Sequence, residues 1–104
     1  MIVEERIYTI QAGQLGRYLS IYSDGPMQLQ SRVLGQMLGY FTTEIGDLST
    51  LVHLWGYESH AERDRRRALL AQESEWQAYL AECTPLIRSM ENRIMVPTTF
   101  SPIR

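Results

Sequence analysis

Residues Ile2–Ile10 alternate in two half-sets, Ile2, Glu4, Arg6, Tyr8 and Ile10 against Val3, Glu5, Ile7 and Thr9. A side-chain period of two marks a strand, and because both sets carry apolar residues neither face is a plainly solvated one. Ala12 and Gly13 break the pattern. Leu15, Tyr18, Leu19 and Tyr22 then fall at i, i+3, i+4 and i+7, the stripe of an amphipathic helix. Gly25-Pro26 interrupts it, since proline lacks an N–H and clashes with the preceding turn. Met27, Leu29 and Val33 predict a second, shorter helical piece ending near Gly35.

Residues 37–45 and 51–57 are rich in Tyr, Phe, Thr, Val and Trp and read as two strands. The turn-rich Gly46-Asp47-Leu48-Ser49 between them predicts an antiparallel hairpin. Ser59 stands three residues before Glu62, the spacing of a capping box, and predicts a helix over 60–71 with Asp64 and Arg65 to Arg67 on its wet side. Ser74 and Gln77 repeat the spacing ahead of Trp76, Tyr79, Leu80 and Cys83, a further helical turn or two that Pro85 stops. Residues 89–96 supply a last strand, followed by an extended tail marked by Pro97 and Pro102. The order strand, helix, strand, strand, helix, strand is the ferredoxin-like βαββαβ arrangement of an α+β protein, with the first and third strands central and helices on one sheet face. The other face stays aromatic and partly apolar in either register, and pairing with a second copy would cover it.

Composition narrows the classes. The chain has 104 residues, enough for one domain, with 44% hydrophobic and 21% charged positions. Its net charge is −2 and all ten basic residues are Arg, which argues against a nucleic-acid surface. No apolar run approaches the ~20 residues of a membrane span, and Glu4, Glu5 and Arg6 leave no room for a signal peptide at the start. The single cysteine, Cys83, forbids an internal disulfide and fits a reducing compartment, so a cytoplasmic protein without membrane or nucleic-acid partner is expected.

Several blocks together resemble one family. The opening Ile2-Val3-Glu4-Glu5-Arg6-Ile7-Tyr8-Thr9-Ile10 with Gly13 is similar to the start of NIPSNAP-family domains. Residues 38–46, from Leu38-Gly39-Tyr40-Phe41, and 52–57, Val52-His53-Leu54-Trp55-Gly56-Tyr57, match more strongly. Residues 61–67, 75–80 and Glu91-Asn92-Arg93-Ile94 also fit, so the resemblance runs through nearly the whole chain as a single domain, 1–104. It implies a dimeric α+β barrel, a fold shared with small monooxygenases, EthD-like proteins and haem-handling relatives, and it implies no single chemistry. The mitochondrial association of the family's eukaryotic members is not carried over, because this chain starts directly at the strand. Glu5 stands where the family usually has an apolar residue.

His53 is the foremost candidate for chemistry, an ionisable group inside the apolar strand Leu51-Val52-His53-Leu54-Trp55. Its ordinary role is a half-buried histidine bonded to a neighbour. Its functional role is a general base or a group that orients a ligand. In the expected topology the first strand brings Glu4, Arg6 and Tyr8 to the same face as His53 and Trp55, and the hairpin partner brings Tyr40. At least four of these six should line one cavity. Glu4–Arg6 or Glu91–Arg93 pairs have an ordinary structural reading, since inward charges must pair. His53, His60 and Cys83 show no metal-ligand spacing, and no phosphate loop, nucleophile elbow or dinucleotide fingerprint occurs, so neither metal nor cofactor is expected. Trp76 and Tyr79 read as core anchors, Cys83 as a small packed residue, and Arg65-Arg66-Arg67 as a solvated run.

Three functions follow. The first is a homodimer, or an assembly of such dimers, binding a small, largely apolar ligand through Glu4, Arg6, Tyr8, Tyr40, His53, Trp55 and Arg93. The second is a cofactor-independent enzyme, monooxygenase- or isomerase-like, with His53 as catalytic proton carrier and Arg6 or Arg93 as oxyanion partner. The third is a non-enzymatic interaction or scaffold domain in which the same polar groups fix dimer geometry.

Overall fold

The computed structural model describes residues 1–104. The chain runs β1 (Ile2–Ile10), α1 (Leu15–Ser23), α2 (Pro26–Leu34), β2 (Gln36–Thr42), β3 (Thr50–Tyr57), α3 (His60–Gln72), α4 (Ser74–Cys83), a 3-10 turn (Thr84–Leu86) and β4 (Ile87–Met95). The four strands form one antiparallel sheet in the order β2-β3-β1-β4, which is the ferredoxin-like α+β fold. No helix is long and apolar enough to cross a membrane.

Strand register decides which side chains meet. Directly opposed residues of an antiparallel pair share a face. Glu4 opposes Trp55, Arg6 opposes His53 and Tyr8 opposes Leu51 across β1–β3, while Tyr40 opposes His53 across β2–β3. The helices cover this face, and Ile2, Tyr8, Ile10, Leu51, Trp55 and Tyr57 form the core with Tyr18, Tyr22, Leu29, Leu34, Leu70, Trp76, Tyr79 and Cys83. The outer face carries Val3, Glu5, Ile7, Val52 and Leu54, with Phe41 57% exposed at its edge.

Helix ends follow local chemistry, with two departures from expectation. Gly25 has φ +106° between α1 and α2, a region that favours glycine, and Pro26 opens α2 at its first position. Gly35 closes α2 at φ +96°, where an added Cβ would also sit 2.9 Å from Arg66 Nη1. The Ser59 hydroxyl accepts from the Glu62 N–H at 3.1 Å and caps α3, a contact worth about 1 kcal/mol. Glu62 does not complete the box; its carboxylate takes Arg65 and Arg66 instead, at 2.7 and 2.8 Å. Ser74 is not a cap: Glu73 occupies that position without a side-chain bond, and the Gln77 amide donates 2.9 Å back to the Ala71 carbonyl. β2 stops at Thr42, short of residue 45, because the chain turns through 44–49 and leaves Ile45 and Leu48 exposed.

Candidate functional site

The sheet centre carries a carboxylate with no access to water. Glu4 is 0% exposed and must be paired there. Its Oε2 accepts from Arg63 at 2.8 Å, Asn92 at 2.8 Å and Arg6 at 3.0 Å, and its Oε1 accepts from Arg67 at 3.2 Å. Burial raises the carboxyl pKa, but the Arg63 hydrogen bond, with Arg67, Asn92 and Arg6, overrides it and holds the pKa at about 2. Arg63 and Arg67 lie one helical turn apart on α3, so both reach down onto β1. This corrects the reading of 65–67 as solvated: Arg67 reaches Glu4, Arg66 donates to the Val33 carbonyl at 3.1 Å, and only Arg65 points outward.

His53 sits beside this cluster, 2% exposed. Trp55 Nε1, a donor only, lies 2.7 Å from His53 Nδ1. Nδ1 therefore accepts, and the neutral ring carries its proton on Nε2. That Nε2 is buried and has no partner. Burial first, then the positive charges of Arg6 and Arg67, lower the His53 pKa from 6.5 to about 3 against the opposite pull of Glu4. At neutral pH His53 is an uncharged hydrogen-bond donor.

A cavity of about 300 Å³ opens between the sheet and the helices, lined by His53, Arg6, Arg67, five tyrosines and Trp76 together with smaller and aliphatic side chains. Tyr40 stacks on His53 at 4.7 Å between ring centroids and on Tyr22 at 4.9 Å, and Tyr8 meets His53 edge-on at 5.0 Å. The polar tips on the helix side are satisfied: Tyr22 donates to Gln30 Oε1 at 2.6 Å, and Tyr79 donates to the Tyr18 hydroxyl at 3.1 Å. Burial pushes the Tyr18 phenol up to about 12 and those of Tyr22, Tyr40 and Tyr79 upward as well, so this wall stays neutral. Cys83 also lines the cavity, and burial raises its thiol pKa, away from nucleophilic use.

Of the residues singled out in the sequence, Arg6, Tyr8, Tyr40 and His53 line this one cavity. Glu4 and Trp55 stand behind it, Glu4 holding the arginines and Trp55 holding His53. Arg93 is not among them. It opposes Glu5 in the β1–β4 register and pairs with it at 2.8 Å on the outer face, so its place as an oxyanion partner is corrected. The same pair accounts for the polar Glu5 in a position where an apolar residue was expected. Sequence reasoning missed Arg63 and Arg67, whose i, i+4 spacing was the available signal, and treated Tyr18, Tyr22, Trp76 and Tyr79 as packing alone although they also form the cavity wall.

Comparison with known proteins agrees with the fold. The NIPSNAP family model matches residues 3–102. A NIPSNAP family protein of Agrobacterium tumefaciens is 47% identical, with a TM-score of 0.96 over 99% of this chain and 98% of that one. The NipSnap homolog of Dictyostelium discoideum is 32% identical over 94 residues, 90% of this chain. This chain spans only 41% of that relative's length. An antibiotic biosynthesis monooxygenase superposes with a TM-score of 0.65 over 94% of this chain and 99% of its own, and at 14% identity the likeness concerns the fold alone. With strands, helices and sequence blocks in agreement from end to end, the chain belongs to the NIPSNAP family.

Proposed function

We propose that residues 1–104 form one cytoplasmic, homodimeric binding domain whose helix-side cavity holds a small, largely apolar molecule. The observation that carries this reading is the partnerless Nε2–H of His53, buried at an aromatic-walled cavity. A buried donor without an acceptor is costly, and a ligand supplying one acceptor relieves it. The volume, about 300 Å³, falls at the small end of ligand pockets. Two copies would pair through the outer face, where Val52, Leu54, Ile7 and Phe41 offer apolar area toward the ~1,000 Å² a specific interface needs.

The same histidine weighs against the catalytic alternative. A general base must offer a lone pair, whereas the Trp55 contact occupies Nδ1 and leaves the proton on Nε2. The outer apolar face favours the scaffold alternative only if the cavity proves inert. Thermal shift against a metabolite panel that includes quinones, flavins and haem separates the readings. The expected result is at least one stabilising compound whose effect disappears in His53→Ala, with the dimer unchanged by light scattering. A panel without effect on the unmodified chain would favour the scaffold, and loss of the dimer in His53→Ala would assign the residue to architecture.

A further inference from the structure

The cavity's polar end is lopsided in charge. Three guanidiniums, of Arg6, Arg63 and Arg67, surround the single Glu4 carboxylate, which leaves a surplus of two positive charges. Asp64, 75% exposed, meets Arg63 at 3.2 Å from the solvent side. The remaining surplus rests on Arg6 and Arg67, and both of these line the cavity.

Hydrogen-bonding sense is lopsided in the same direction. His53 Nε2 and Arg67 Nε are buried donors without partners. The Tyr8 hydroxyl already accepts from Arg6 Nε at 2.9 Å, so its own proton remains to be donated. The strongest acceptors are engaged: both Glu4 oxygens are bonded, Trp55 takes His53 Nδ1, and Tyr22 takes Gln30 Oε1. A site end with spare donors, spare positive charge and its only carboxylate already bonded is complementary to an anion.

Resting on the cavity being a binding site, we infer that its ligand is a small aromatic monocarboxylate, held with the carboxylate at His53, Arg67 and Tyr8 and the ring among the tyrosines. A carboxylate's two oxygens suit three spare donors. A phosphate's three terminal oxygens and second charge do not, because Arg6 and Arg67 each keep a bond to Glu4 and cannot present a free fork. The stacked run Tyr22–Tyr40–His53 supplies flat walls for an aryl ring.

The test is calorimetric titration of the full chain with phenylacetate, phenylacetamide and phenyl phosphate at one ionic strength. Phenylacetate should bind about ten-fold or more tighter than the amide, as charge-assisted hydrogen bonds require, and more tightly than the phosphate. Arg67→Gln should bring acid and amide level. Because that variant also loosens Glu4, the unmodified chain carries a second readout: the His53 Nε2–H resonance should shift with phenylacetate and stay in place with phenylacetamide. Acid and amide binding equally, phosphate binding tightest, or an unmoved Nε2–H would each overturn the inference while leaving the cavity as a binding site. Binding of a panel compound without binding of phenylacetate would do the same. If neither the three probes nor the metabolite panel binds, the inference and the reading beneath it both fall.

Discussion

Glu4 and Glu5 are consecutive residues of β1 with the same side chain and opposite surroundings. Glu4 faces the helices, is fully buried, and accepts from three arginines and an asparagine. Glu5 faces outward, 24% exposed, and meets one arginine that is itself 59% exposed. Strand alternation alone separates them. The contrast shows that an ion pair's worth depends on where the sheet puts it: the interior demands complete pairing, and the surface tolerates partial pairing. It also shows where the cavity's positive charge comes from, since the arginines gathered to satisfy Glu4 outnumber its carboxylate, and Arg6 and Arg67 line the cavity.

The largest expected effect breaks the contrast at its buried end. Glu4→Gln places an amide among three guanidiniums and should cost about 3–5 kcal/mol, the range for breaking a buried pair from one side. Glu5→Gln should stay within about 0.5 kcal/mol, as for an ordinary surface change. Urea unfolding of both variants at one protein concentration checks this, and equal shifts would remove the distinction between the faces.

Acid sharpens the same contrast without any substitution at the glutamates. His53 has a folded pKa near 3 against 6.5 unfolded, so the unfolded chain takes up a proton that the folded chain refuses. Stability is therefore complete above pH 6.5 and falls as pH drops below it. Glu4, lowered to about 2 from 4.5, adds its loss only below pH 4.5. Between pH 6.5 and 4.5 the site's loss belongs to His53 and should reach about 2–3 kcal/mol, at 1.36 kcal/mol per unit. His53→Gln keeps an amide acceptor and donor without that titration, and its stability should be nearly flat over the window. A slope equal to that of the unmodified chain would show that His53 protonates freely in the fold.

How much of this was legible depends on the range of the interaction. The β1 alternation, the Tyr18–Tyr22 stripe, the break at Gly25-Pro26 and the Ser59 cap are set within a few residues, and the chain displays them directly. The βαββαβ order then brings Arg6, Tyr8, Tyr40 and His53 to one face. Arg63 and Arg67 were hidden because α3 turns a polar side inward: Leu70 is its only buried residue, so hydrophobic periodicity carries no signal of which face meets the sheet. Arg93 was misplaced because its face depends on the β1–β4 register, a pairing of distant segments in which a shift of one residue reverses every side chain. The second cap failed for a nearer reason, since the Gln77 amide found the end of α3 rather than the start of its own helix.

The smallest expected effect tests the exposed end, and it also reports on what covers that face. A double-mutant cycle on Glu5 and Arg93 isolates their 2.8 Å pair from other consequences of substitution. In the separated chain both groups reach water, and the coupling should be about 0.2–1 kcal/mol. The matching cycle on Glu4 and Arg67 should give a larger value, because Glu4 is fully buried. If two copies close over the outer face, Glu5 and Arg93 lose water on dimerisation, so their coupling should rise as protein concentration carries the chain from monomer to dimer. The Glu4–Arg67 coupling, on the helix side, should not move with concentration. A Glu5–Arg93 coupling that stays constant across the monomer–dimer transition would place the dimer contact elsewhere, and one as large as the Glu4–Arg67 value at monomer concentrations would erase the difference between these two neighbouring glutamates.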